Sequence, residues 1–262
     1  MASARTRGLG ASVRWGALAV AAVLATGCGL GETEAARPSR PEPARPPARA
    51  DTRAVDRFAT PAGSFAIARV RAGRSIALRA RPGGRAVERL GSRTEFGSRR
   101  FLAVAAREGR WLGLVSAERP NGRLGWADGR SRALTPYRTD VSLHADLSRR
   151  EVELRRGRRV VRRFAVGIGR AGYPTPTGRF AVTDKLQVTD ESPYGCCALA
   201  FTGHQPDVPQ EWAGGDRLAA HATPYLESIG DAASLGCFRA SDADMRWLID
   251  RVPLGTVVTV AP

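Results

Sequence analysis

Lysine is almost absent from this chain. Lysine and arginine together number 41 in 262 residues, against 25 acidic residues, yet Lys185 is the sole lysine. The formal net charge of +16 is therefore carried by arginine, and the arginines are scattered along the whole length instead of forming one patch. No aromatic-basic motif of a known nucleic-acid module accompanies them, so nucleic acid is not the expected partner. Long apolar runs are also missing. The stretch Trp15 to Gly27 is about thirteen residues, short of the roughly 18 to 20 that a permanent membrane helix needs. There are four cysteines and three histidines, and no two cysteines show the spacing of zinc ligands, which excludes a zinc knuckle or ribbon.

What the amino terminus does contain is an export pattern: Arg5, Arg7 and Arg14, then the uncharged run, then Ala25-Thr26-Gly27 directly before Cys28. Small residues before a cysteine resemble a bacterial lipobox, which implies cleavage after residue 27 and a lipid on Cys28. The alternative is an ordinary secretory signal with an incidental cysteine. Residues 28–56 run through Arg37-Pro38, Pro41-Glu42-Pro43 and Arg45-Pro46-Pro47 with almost no large apolar side chain. Such a segment cannot bury a core and reads as a tether. For an exported protein the arginine excess suits anionic lipid head groups and envelope polymers.

The remaining chain divides into two mainly β regions. Over residues 57–136, short alternating runs at Phe65 to Val70, Ser75 to Ala80, Phe101 to Ala105, Trp111 to Val115 and Leu124 to Trp126 predict half-buried strands. They are punctuated by Pro82-Gly83-Gly84 and by Asn121-Gly122, a hairpin signal because both residues tolerate positive φ. A small barrel of this kind resembles bacterial SH3-like modules, as either a spacer or a wall-binding unit. Over residues 137–262, strands are predicted at Val141 to His144, Glu151 to Leu154, Arg162 to Ile168, Gly178 to Thr183, Ala198 to Thr202, Leu218 to His221 and Thr256 to Val260. One helix is predicted, capped by Ser241, acidic at its start through Asp242 and Asp244, and stopped by Pro253.

The chemistry-bearing candidates sit in this second region. Cys237 follows Gly236 between a loop and the capped helix. That setting, with nearby arginines, predicts a thiol of lowered pKa, and the backbone N–H groups of Gly236 and Cys237 are candidates to hold an oxyanion. An inert buried cysteine is the competing reading. His221 ends an apolar strand and is followed by the small Ala222, which leaves room for its ring to act as general base. His204 and His144 compete for that role, His204 as a cleft residue and His144 from the first hairpin. The adjacent pair Cys196-Cys197 can close on itself, pair elsewhere or stay reduced.

Ordered motifs over residues 139–262 sharpen these readings. They are Val166-Gly167-Ile168-Gly169, Thr175-Pro176-Thr177-Gly178, His221 with Thr223, Ser228-Ile229-Gly230, Ser234 to Arg239, and Val252-Pro253-Leu254-Gly255-Thr256. Together they resemble the L,D-transpeptidase catalytic domain, the YkuD family. The resemblance implies a β-sandwich of mixed strands with the site under a loop flap. It makes Cys237 the nucleophile, His221 the base, Gly236 and Ser234 parts of the oxyanion loop, and Arg239, Thr223 and His204 site-ordering or substrate-binding residues. The implied substrates are peptidoglycan stem peptides, cross-linked 3-to-3 at the cell envelope through a thioester, with neither metal nor organic cofactor. Water or a free D-amino acid as acceptor is the alternative, as is a degenerate wall-binding lipoprotein. The chain departs from the family pattern at Ala222, where glycine is common, and at Leu235, where a polar residue is common.

Overall fold

The computed structural model describes residues 57–188, 192–209 and 215–262. The export signal, the lipidation at Cys28 and the tether lie outside the described residues. The described chain is mainly β, with one α-helix, as the alternating pattern predicts.

The first sheet has seven strands: β1 (Phe65–Val70), β2 (Ile76–Arg79), β3 (Ala86–Leu90), β4 (Phe101–Glu108), β5 (Trp111–Val115), β6 (Gly125–Asp128) and β7 (Leu134–Thr139), in the order β3-β2-β6-β5-β4-β1-β7. Leu78, Leu102, Leu112, Leu114 and Leu134 fill its core. Two of these strands carry no alternation signal. β3 exposes four of its five residues, and β7 contains Pro136, which lacks an N–H and normally argues against a strand. β7 tolerates it because it lies at the sheet edge, pairing only with β1. β7 also carries the first sheet three residues past position 136.

The second sheet has eight strands in the order β10-β9-β8-β17-β12-β13-β14-β16. They are β8 (Val141–Asp146), β9 (Glu151–Arg156), β10 (Arg159–Ala165), β12 (Gly178–Gln187), β13 (Cys197–His204), β14 (Arg217–Ala222), β16 (Phe238–Ala240) and β17 (Val257–Ala261). Two further short strands, β11 (Ile168–Gly169) and β15 (Ala232–Ser234), pair in parallel beside it. The strand expected to run from Arg162 to Ile168 thus ends at Ala165 and restarts as β11. β8–β17 and β14–β16 are parallel and the other pairs of the large sheet antiparallel. Leu143 and Val152 from one end of the strand order pack in one core with Phe201, Ala220 and Phe238 from the other, so the sheet folds over on itself.

Helix α1 (Asp242–Arg251) closes this core with Met245, Leu248 and Ile249. Ser241 caps it, its hydroxyl accepting the Asp244 N–H at 3.1 Å, an interaction typically worth about 1 kcal/mol. The two sheets share a further apolar contact through Ala103 and Val115 on one side and Ala181 and Val257 on the other.

Candidate active site

The geometry begins with one parallel register. β14 and β16 pair Ala220 with Phe238, His221 with Arg239 and Ala222 with Ala240. Side chains alternate faces along a strand. Ala220, Ala222, Phe238 and Ala240 therefore point into the core, where all four are buried. The other face receives Ala219, His221, Cys237 and Arg239, and all four line one cleft of about 320 Å³. His221 on β14 and Cys237, the residue just before β16, thus face one cleft, Cys237 standing two residues before Arg239, the register partner of His221.

The loop before Cys237 is held tightly. Ser234 Oγ accepts the Gly236 N–H at 3.0 Å and donates to the Cys237 carbonyl at 2.6 Å. Gly236 has φ +116°, and a Cβ there would stand 3.0 Å from Gln205 Nε2. Thr175 Oγ1 donates to the Gly236 carbonyl at 2.8 Å while accepting the Gly169 N–H at 2.8 Å. The Gly167 backbone exchanges both hydrogen bonds with Arg239. Cβ atoms at Gly167 and Gly169 would land on the carbonyl oxygens of Ser228 and Tyr173. This is the physical content of the Val166-Gly167-Ile168-Gly169 motif: the backbone must approach closely to brace the cysteine loop.

Electrostatics correct one expectation. The arginine-rich surroundings predict a lowered thiol pKa, but burial dominates and pushes Cys237 up to about 11, against smaller lowering effects from the Ala219 backbone and the Arg239 charge. The neutral thiol faces the Arg217 carbonyl at 3.8 Å. β16 lies between Cys237 and α1, so the thiol does not stand at the helix start. Burial also lowers His221 to about 4, opposed by its hydrogen bond to the Ala222 backbone and assisted by Arg239. His221 Nδ1 lies 2.6 Å from the Ala222 carbonyl. A carbonyl only accepts, so Nδ1 carries the proton and Nε2 keeps the lone pair of a base. Tyr194 meets the ring edge-on at 4.9 Å.

The remaining candidates separate. Ser234 is buried and Arg239 half-buried beside the pair. The Gly236 N–H is engaged by Ser234, so Gly236 shapes the loop. Thr223 is buried and does not line the cleft, and its hydroxyl accepts at 3.2 Å the N–H of Tyr225, which does line it. His204 does not join the cleft. Its ring bonds Asp216 at 3.0 Å and the Ala117 carbonyl at 2.7 Å, and its backbone exchanges two hydrogen bonds with the Asn121 side chain. It is a fastener between the two sheets. His144 lies on β8 beside Ser142, at 3.2 Å. Cys196 is bonded to Cys197 and Cys237 is free, which removes a disulfide to the nucleophile candidate. Leu235, the departure from the family pattern, is half-buried and lines the cleft. Tyr194, Gln205, Arg217 and Phe96 also line it, and sequence reasoning missed all four. Only Thr175, within a motif that had no assigned role, left a trace.

Residues 140–260 match the family model for the L,D-transpeptidase catalytic domain, YkuD. This segment is similar to the YkuD-type catalytic domain. Over 127 residues the chain is 29% identical to a Bacillus licheniformis protein assigned the name L,D-transpeptidase YkuD, which covers 48% of this chain and 67% of that protein. It is 30% identical over 111 residues to an Escherichia coli K12 protein assigned the name L,D-transpeptidase ErfK/SrfK, covering 37% of this chain and 36% of that one. A solved L,D-transpeptidase from Mycobacterium smegmatis aligns at 18% identity with a TM-score of 0.40, over 62% of this chain and 82% of that one. Every braced element of the cleft comes from the matched segment, and Phe96 comes from outside it.

Proposed function

We propose that this protein is a peptidoglycan L,D-transpeptidase of the cell envelope, tethered to a membrane by a lipid on Cys28, that works through a Cys237 thioester. The observation that carries the reading is the β14–β16 register, which sets the lone pair of a neutral His221 and the thiol of Cys237 on one face of one cleft within a YkuD domain. With a thiol near 11 and an imidazole near 4, the resting pair is neutral. Proton transfer therefore accompanies attack. As Cys237 Sγ bonds to the carbonyl between the third residue of a tetrapeptide stem and its terminal D-alanine, His221 Nε2 takes the thiol proton. The Cys237 N–H meets the developing oxyanion, and Arg239 favours negative charge on sulfur. Imidazolium returns the proton to the leaving amine and D-alanine departs. The side-chain amine of a second stem then displaces Sγ, losing its proton to His221, which leaves a 3-to-3 cross-link and a regenerated thiol.

The test is mass spectrometry of muropeptides. The wild type should release D-alanine from tetrapeptide stems and form the dimer. Cys237→Ala should do neither and should fail to capture a carbapenem covalently. His221→Ala should be slower by about a hundred- to ten-thousandfold. A carbapenem adduct on the Cys237→Ala protein would refute the nucleophile assignment.

A further inference from the structure

The link between β3 and β4 is a small hairpin of the N-terminal sheet that reaches the YkuD domain. Arg93 and Arg99 form an antiparallel bridge. Between them the Thr94 N–H donates to Ser98 O at 2.9 Å, Gly97 N–H to Thr94 O at 3.1 Å, and Ser98 N–H to Thr94 Oγ1 at 3.1 Å. Gly97 makes the turn possible at φ +84°. The finger is thus braced by its own bonds. Its tip is fastened to the catalytic sheet: Thr94 Oγ1 donates to Asp184 and Glu95 pairs with Arg217. Arg217 is itself fixed, donating to Phe201 O and to Thr183 Oγ1, each at 3.0 Å.

Phe96 follows Glu95 at the tip. Its ring lies 5.7 Å from the Arg217 guanidinium and lines the same cleft as Cys237 and His221. It nevertheless remains 45% exposed, so it is not packed as core. The Arg217 side chain touches this ring while the Arg217 carbonyl receives the Cys237 thiol. The ring and the reacting sulfur therefore meet opposite ends of one residue, the guanidinium and the carbonyl of Arg217.

We propose that the Arg93–Arg99 finger completes the donor cleft, with Phe96 as a specificity-determining residue that packs against the apolar methyl and methylene groups of the donor stem peptide. The inference rests on the transpeptidase reading. It makes the N-terminal sheet part of the substrate site, contributing binding while the YkuD domain supplies the chemistry. Leu186, Val208, Tyr225 and Leu235 give further parts of the cleft the same apolar character, which suits the aliphatic groups of a flexible peptide segment, while Arg239 on the same lining can meet a stem carboxylate.

The test uses the full chain. Tetrapeptide stem is titrated calorimetrically into Cys237→Ala protein with and without Phe96→Ala, and KM and kcat for D-alanine release are measured for wild type, Phe96→Ala and Phe96→Tyr. Phe96→Ala should weaken stem binding and raise KM by about five- to tenfold, with kcat within twofold and the melting temperature unchanged, and Phe96→Tyr should restore KM. Active wild type with an unchanged KM in Phe96→Ala overturns the inference alone. So does a lowered melting temperature with both kinetic constants unmoved, which would make the ring a tie between the sheets. An inactive wild type that binds no stem overturns the transpeptidase reading and this inference with it.

Discussion

His221 should make the fold sensitive to acid, by an amount the site geometry sets. The imidazole is 5% exposed and titrates near 4 in the folded protein, whereas in the unfolded chain it titrates near 6.5. Above 6.5 both states hold it neutral and it contributes no pH dependence. Below 6.5 the unfolded chain gains a proton that the folded site refuses, so stability falls as pH falls, until the folded pKa is reached near 4. The loss amounts to about 2 kcal/mol by pH 5 and roughly 3 kcal/mol at pH 4, from 1.36 kcal/mol per unit of pKa difference. Urea unfolding of wild type and His221→Gln at pH 7 and pH 5 isolates this contribution, because glutamine takes no proton and the other titrating groups, His144 and His204 included, are common to both. Relative to wild type, the variant should gain about 2 kcal/mol between the two pH values. A gap that stays constant from pH 7 to pH 5 would mean that His221 titrates normally and is not desolvated, which would also remove the neutral-pair mechanism.

The Cys237 thiol gives the complementary alkaline signature: in Cys28→Ser protein, alkylation by iodoacetamide should be slow at pH 7 and still rising at pH 10, and an inflection between pH 6 and 8 would show a thiolate-imidazolium pair instead. Leu235→Ala removes a half-buried cleft residue, so stability should fall by less than the 2 to 5 kcal/mol of a core leucine truncation while KM for the donor rises; a large drop in melting temperature at constant KM would reverse that assignment. For the anchor, Cys28→Ser should move the protein from the membrane to the soluble fraction with turnover of stems retained, and persistent membrane association would count against a lipid there.

How much of this was legible beforehand follows from which interactions are local. Strands with one buried face announced themselves through alternation, as at β2 and β6, and α1 through its cap and its stop. β3 was silent because both its faces meet solvent, and β7 because an edge position hides the cost of Pro136. Asn121-Gly122 was rightly a turn, with Gly122 at φ +74° and Arg123 N–H bonded to Pro120 O at 3.0 Å, but it lies in the longer loop between β5 and β6, where the Asn121 side chain serves the other sheet. At the site, Cys237, Ser234 and Gly236 were readable because the loop organises itself within four residues. The thiol's charge preference was misjudged because neighbouring arginines can be counted in a sequence, whereas desolvation depends on what the fold stacks around the sulfur. Gln205, Arg217, Tyr194 and Phe96 come from separate segments that meet only through strand register, and His204 was drawn away from the cleft by partners eighty or more positions distant.

That distant fastening has a practical consequence for anyone who would excise the catalytic segment. A cut at residue 140, following the family match, would leave Ala181 and Val257 bare, remove the carbonyl of Ala117 from the His204 ring, and strip both Asn121 bonds from the His204 backbone. Gly255, whose backbone is pressed against Ile67, would face water instead. The truncated product would present an apolar seam and leave the His204 backbone N–H and carbonyl without their Asn121 partners, and an exposed apolar seam favours self-association. Expression boundaries for this protein therefore belong before Phe58, whose ring sits in the core of the first sheet, even when only the chemistry of Cys237 is wanted.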